Sequence, residues 1–295
     1  MVINFKSTLS ILMLFILIGC FGDQKEPSTV SISGQTMGTT YNVTVVDNPL
    51  SLSKEDLKKR IEETLNDINE KMSNWYYQSE ISTVNNDKRG KPIDLSQELF
   101  DVINISTDIH NRSNGAFDIT AAPLINLWGF GPNKSERKIP SVLEEKAPLE
   151  LVGQTKLLKL IPGLNQLEKR NPEVAINLSA IAKGYGIDRV ASTLKEQKIQ
   201  NFLVEIGGDL ITSGTNKNGK TWSIGIEAPK VESQIVQSVI KIKDQAMATS
   251  GDYKNFFEKN GIRYSHIIDP KTGYPIRPVS YTHLRAHETR GNLVC

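Results

Sequence analysis

The chain has 295 residues, 35 Lys and Arg against 33 Asp and Glu, and a formal net charge of +2. That balance leaves no basic stripe to neutralise phosphates along a strand and excludes a nucleic-acid partner. A content of 38% hydrophobic and 23% charged residues is that of an ordinary globular protein, long enough for one large domain or two joined lobes.

In chain order, residues 1–19 read as an export signal. Lys6 precedes an apolar run from Leu9 to Ile18, too short to span a bilayer, which takes about 20 apolar residues. The run ends in Leu17-Ile18-Gly19-Cys20, which resembles the lipobox of bacterial lipoproteins, where the cysteine is acylated. The alternative is a plain secretory signal that happens to contain a cysteine. On the first reading Cys20 carries the lipid and residues 20–29 form a polar linker. The expected location is then an exported lipoprotein, anchored to the membrane and facing the periplasm. Cys295 is the one other cysteine, so with Cys20 modified no disulfide forms inside the chain and the core alone holds the fold.

VSISG and TTYNVTVV alternate apolar and polar residues with the period of paired, half-buried strands. SKEDLKKRIEETLNDINEKMS predicts an amphipathic helix: Ser53 and Asp56 offer a capping box, and Leu57, Ile61, Leu65, Ile68 and Met72 form one stripe. A second helix is expected from Ser96 to about Arg112, closed by Asn114-Gly115. LLKLI and VAINL read as short strands, followed by a helix from about Ser179 to Gln197. FLVEIGGDL, TWSIGIEA, SVIKIKDQA, MATSG and RYSHIIDP supply further strands with glycine-rich corners. Without regular βα alternation the expected class is α+β.

Four stretches carry candidate chemistry. In NLSAIAKGYGID, residues 177–188, small residues at a helix start let a ligand approach the backbone, and Lys183 adds a positive charge. The spacing matches neither a P-loop nor GxGxxG, and it leaves a snorkelling surface lysine as good a reading as a phosphate contact. In VEIGGDL, residues 204–210, two glycines and an aspartate suit either a polar ligand or a tight turn. His266 lies on an apparent strand ahead of Asp269-Pro270; it suits proton transfer from a hydroxyl, and equally a structural role. NGAFDITAAPLINLWGFG, residues 114–131, mixes aromatics with glycines and suits the wall of a flat heterocycle or ordinary core packing.

Taken together, QTMGTTY, MSNWYYQSEIS, NGAFDITAAPLINLWGFG, NLSAIAKGYGID, FLVEIGGDLITSGTN and ATSGDYKNFFEKNGIRYSHIIDPKTGYPI resemble the FAD:protein FMN transferases of the ApbE type, from Gln35 to Ile276. The resemblance implies a T-fold type of α+β domain over residues 30–276, with FAD in a cleft between two parts of it. It implies transfer of the FMN moiety of FAD, with Mg2+, to a threonine hydroxyl on acceptor subunits of respiratory flavoprotein complexes, releasing AMP. It assigns flavin contacts to Met37, Trp75, Ala116, Phe117, Asp118, Asn177, Lys183 and Ile268, a magnesium ligand to the Ala180 carbonyl, and the catalytic histidine to His266. Position 177 is commonly aspartate in that family, so Asn177 would hydrogen-bond without adding charge. A non-catalytic FAD-binding lipoprotein and an FAD pyrophosphatase are the alternatives.

After Ile276 the family wording stops. PVSYTHLRAHETRGNLVC lacks the Asp-Ala-x-x-Thr type motif that supplies further magnesium ligands, and residues 277–295 read as an artefactual tail. The spacing of His283, His287 and Glu288 fits no zinc motif. A weakened metal site is the expectation for this exact chain, with weak FAD binding and slow transfer or none, whereas the full-length protein is expected to be active.

Overall fold

The computed structural model describes residues 28–132, 136–227, 236–249, 251, 255–276 and, as backbone alone, 285–287. The readings of the leader, of Cys20 and of most of the tail fall outside these residues. Among the described residues no helix is long and apolar enough to cross a membrane.

The chain opens with β1 (Thr29–Thr36) and β2 (Thr39–Val46), then α1 (Lys54–Met72), α2 (Glu80–Asn86), β3 (Ile93–Asp94) and α3 (Gln97–Arg112). A 3-10 turn over Ile119–Ala121 leads into α4 (Ala122–Leu127), α5 (Val142–Glu150), α6 (Gln154–Leu157), β4 (Leu158–Ile161), β5 (Gln166–Lys169) and α7 (Ala182–Glu196). Strands complete it: β6 (Asn201–Ile206), β7 (Asp209–Ser213), β8 (Trp222–Glu227), β9 (Val236–Ile242), β10 (Ala246–Ala248), β11 (Phe256–Lys259), β12 (Ile262–Ser265) and β13 (Arg285–His287). The main sheet has the order β1-β2-β6-β7-β10-β13 and is antiparallel throughout. The fold is α+β, as the strand and helix patterns predict.

Two of the three hydrophobic cores among the described residues meet near the start of α7. The first lies between one face of the main sheet and helices α1 and α7. Ile32, Tyr41, Val43 and Val45 meet Leu57, Ile61 and Leu65 of α1, and Ile187, Val190 and Leu194 of α7. The second gathers Ile68 and Met72 of α1 with Ile81, Val84, Leu99, Val102, Ile103, Leu167, Ile176, Leu178 and Ile181. Burying each such side chain contributes about 1.5–3 kcal/mol. The stripe on α1 thus serves both cores, its N-terminal half the first and its C-terminal half the second, so the helix crosses their seam.

All five stripe residues of α1 are buried, and Ser53 caps it by accepting a hydrogen bond from Asp56 N–H. Asn114 and Gly115, both with positive φ, close α3 through Gly115 N–H to His110 O at 2.8 Å. Three expectations need correction. VAINL belongs to no strand, because distant side chains take its backbone groups. Asn85 Oδ1 accepts from Ile176 N–H at 2.7 Å, and the amides of Asn74 and Asn85 both donate to Ile176 O. α7 begins at Ala182, not Ser179: its N-cap position is Ile181, without a side-chain cap. A turn over 179–181 comes first, fastened by Ile181 N–H to Leu178 O at 2.9 Å. His266 sits one residue past β12, where the chain leaves the hairpin; the later pairing is a single bridge between Ile268 and Pro275.

Candidate functional site

Met37 and Gly38 form the loop of the first hairpin, with φ of 50° and 73°, the left-handed pair that a two-residue hairpin turn requires. This tip rests on the start of α7. A Cβ built on Gly186 would lie 3.0 Å from Met37 Cε, so the bare helix surface at Gly186 is the seat of Met37. Opposite, Gly207 and Gly208 turn the chain with φ of 58° and 96° and deliver Asp209. Its carboxylate accepts from Thr249 N–H at 3.0 Å and lies 2.9 Å from Lys183 Nζ. The Asp209 side chain is 2% exposed and that of Lys183 30%. Two motifs that the sequence offers separately, the lysine of AKGYG and the aspartate of IGGD, therefore form one ion pair. A carboxylate this deeply buried needs such a partner. An ammonium has three donors, so the pairing with Asp209 leaves the partly exposed Lys183 further bonding capacity.

The segment 174–181 forms the second wall. Asn74 holds it from one side, accepting from Leu178 N–H at 3.2 Å and donating to Ile176 O at 2.7 Å. The next residue, Trp75, is 64% exposed, and Tyr76 and Tyr77 beside it are exposed as well. Their ring faces are open to stacking on a planar ligand. Asn177 is half-buried and turns its own chain, its Oδ1 accepting from Ser179 N–H at 2.9 Å. Its backbone N–H donates to Ile119 O at 2.7 Å. That bond joins the wall to the 113–121 turn. Ser179 and Ala180 stand exposed at the rim.

Within that turn Ala116 is exposed, Phe117 packs against the second core, and Asp118 points inward with a side chain 3% exposed. Asp118 accepts from the N–H groups of Thr120 and Gln154 at 2.8 and 2.9 Å. His110 Nδ1 lies 2.9 Å from Phe117 O and 3.4 Å from Asp118 Oδ2. The Asp118 carboxylate thus shapes the turn from inside. An open cavity of about 370 Å3 lies on this side, lined by His110, Gly115, Asp118, Gly153, Pro270 and Lys271, away from the Lys183 pair.

His266 and Ile268 belong to an aromatic lobe. Phe257 of β11 stacks on Tyr264 of β12 with centroids 5.2 Å apart, and Trp128 lies 5.6 Å from Tyr264. The Trp128 indole N–H donates to Gly273 O at 2.8 Å, pinning the 266–276 loop to the end of α4. His266 Nδ1 is 3.0 Å from Asn255 O. A carbonyl only accepts, so in the neutral ring Nδ1 carries the hydrogen and Nε2 the lone pair. The same chain that leaves Ile119 beside Asn177 continues through α4 to Trp128 and Phe130, whose ring meets that of His266 at 6.4 Å. By this route the lobe is tied to the wall.

The sequence reading missed Asn74, Asn85, His110 and Thr249, which position the named residues without touching a conspicuous motif. Asp209 carried a signal, two glycines before a carboxylate at a strand end, but nothing local said which cation it would meet.

The model of the ApbE family matches residues 37–292, past Ile276. The chain belongs to the ApbE family. Among relatives of this ApbE chain, a protein of Vibrio cholerae named FAD:protein FMN transferase is 42% identical over 271 residues, covering 91% of this chain and 79% of the relative. One from Haemophilus influenzae with the same name is 40% identical over 273 residues, covering 91% and 78%. The solved structure of the flavin transferase ApbE from Vibrio cholerae superimposes with a TM-score of 0.78 at 39% identity, covering 85% of this chain and 79% of that one. The apo form of the Pseudomonas stutzeri flavinyl transferase ApbE gives 0.77 at 32% identity, covering 87% and 78%.

Proposed function

We propose that this ApbE chain binds FAD along the seam between the first and second cores and transfers the FMN moiety to a hydroxyl group of a flavoprotein. Membership of the family and the names of its relatives support the reading. The observation that carries it is the seating of the Met37 hairpin tip on Gly186 of α7, three residues along that helix from Lys183 and its partner Asp209, with Asn177 just ahead of the helix and the open ring of Trp75 next to Asn74. An ammonium there favours the linked phosphates of a dinucleotide, and the exposed indole favours a flat ring.

In the proposed step the acceptor hydroxyl oxygen bonds to the phosphorus on the FMN side of the phosphoanhydride. The bond from that phosphorus to the bridging oxygen breaks, AMP leaves with the oxygen, and the hydroxyl proton passes to His266 Nε2. Lys183 opposes the negative charge gathering on the phosphates. A threonine as acceptor residue, acceptor subunits of respiratory complexes, and export with a lipid on Cys20 belong to the same proposal and rest on the resemblance. So does magnesium. Among the described residues no group of three His, Cys, Asp or Glu side chains gathers as a metal site, and Asp209 is already paired with Lys183. The carbonyl of Ala180, an exposed residue, fits as one oxygen ligand of an ion that takes most of its shell from phosphates and water.

Incubation with FAD, magnesium and an acceptor domain tests the reading. Flavin fluorescence that stays with the acceptor band after denaturing electrophoresis is the expected result. Free FMN with AMP would make the protein a pyrophosphatase, and unchanged FAD a carrier.

A further inference from the structure

Lys169 is the last residue of β5, two positions after the fully buried Leu167, and therefore on the inward face of the strand. A lysine here is out of pattern, yet it is only 6% exposed. Its ammonium is caged by backbone carbonyls: Val84 O and Pro172 O at 3.0 Å, Val174 O at 3.3 Å and Asn85 O at 3.4 Å. Three N–H donors thus serve four acceptors, with one donor shared. Val84 and Asn85 are in the last turn of α2, where helix carbonyls point outward and carry the negative end of the dipole. Pro172 and Val174 begin the segment that leads to Asn177.

The environment keeps this cation. Burial pushes the Lys169 ammonium down to about 8, helped by Lys88 and opposed by Asp87 and Glu173, which still leaves it mostly protonated at neutral pH. Lys88 itself donates to Pro172 O and to Glu173 Oε2, both at 3.0 Å. Asn85, whose carbonyl faces Lys169, uses its side chain to bracket Ile176 through two hydrogen bonds. Ile176 is next to Asn177.

We infer that Lys169 is a positioning residue for the flavin site: its caged ammonium locks the end of α2 to residues 172–174 and so sets the placement of Asn177 and of the turn before α7. The inference rests on the proposed function for its link to FAD, whereas the locking itself does not. Neither an apolar residue nor a surface cation would do this, because four inward carbonyls need a charge among them.

Replacement of Lys169 by alanine leaves a cage that a free ammonium ion can enter. In the full chain, Lys169→Ala is expected to lower FAD affinity by about tenfold. Amide exchange should rise over residues 172–181 while the main sheet stays protected, and ammonium chloride, but not tetramethylammonium chloride at equal ionic strength, should restore both. If Lys169→Ala fails to fold, Lys169→Met, which keeps the aliphatic stem, carries the affinity and exchange readouts. Exchange over 172–181 at the wild-type rate would overturn the inference, as would FAD affinity within about twofold of wild type or an absence of ammonium recovery. Should the wild-type chain bind no FAD, the proposed function falls, and the exchange and ammonium readouts still decide the role of Lys169.

Discussion

At the scale of single residues, the Lys183–Asp209 pair separates stability from binding. Lys183→Ala strands a buried carboxylate and is expected to cost about 3–5 kcal/mol, seen by chemical denaturation. Adding Asp209→Asn removes the stranded charge, so the double variant should recover most of that stability while FAD affinity, read by flavin fluorescence, stays low. Recovery of both together would mean that Lys183 serves only to neutralise Asp209. Asp188 gives a pH signature. Burial pushes its carboxyl up from 3.8 to about 6, against the pull of Lys195. Folding therefore favours the protonated form, the folded chain holds more protons than the unfolded one between about pH 4 and pH 6, and stability declines as pH rises through that window. At neutral pH the ionised group, which is half-buried, should cost about 1–3 kcal/mol. Melting temperatures measured from pH 4 to 7 should fall less steeply in Asp188→Asn than in wild type.

At the scale of elements, the start of α7 is built for contact rather than for helical strength. Gly186→Ala should add about 1 kcal/mol through helix propensity, yet it should push Met37 Cε out of its seat, because the new Cβ would come within 3.0 Å of it. The expected outcome is a protein at least as stable as wild type with weaker FAD binding, measured by thermal melting and titration. On the opposite wall, Asn85→Ala leaves Ile176 N–H without its partner and Ile176 O with Asn74 alone and should cost about 1–3 kcal/mol for the buried donor left unmet. α1 and the first hairpin were legible in the sequence because their stripe and their alternation repeat with the period of the element that forms. VAINL misled the same reasoning. An apolar run between polar flanks looks like a strand, and only the distant amides of Asn74 and Asn85 show that its hydrogen bonds go elsewhere.

For the whole molecule, Trp128 joins the aromatic lobe to the rest. It is fully buried among Phe257, Tyr264 and Tyr274 and holds Gly273 through its indole. Trp128→Ala should cost about 3–5 kcal/mol, raise amide exchange over 266–276, and lower transfer more than FAD binding, since the loop it frees carries His266. The α+β class, the amphipathic α1 and the presence of a small-residue helix start around Lys183 were determined by the sequence alone. Each depends on the period of apolar residues or on the backbone freedom of glycine, properties read within a few positions. The tertiary structure alone decided that Lys183 would meet Asp209, that Asn74 and Asn85 would satisfy the backbone before Asn177, and that Lys169 would turn inward to carbonyls. Such pairings join residues far apart in the chain, and buried charges and amides find partners only once packing has removed the water that would otherwise serve them.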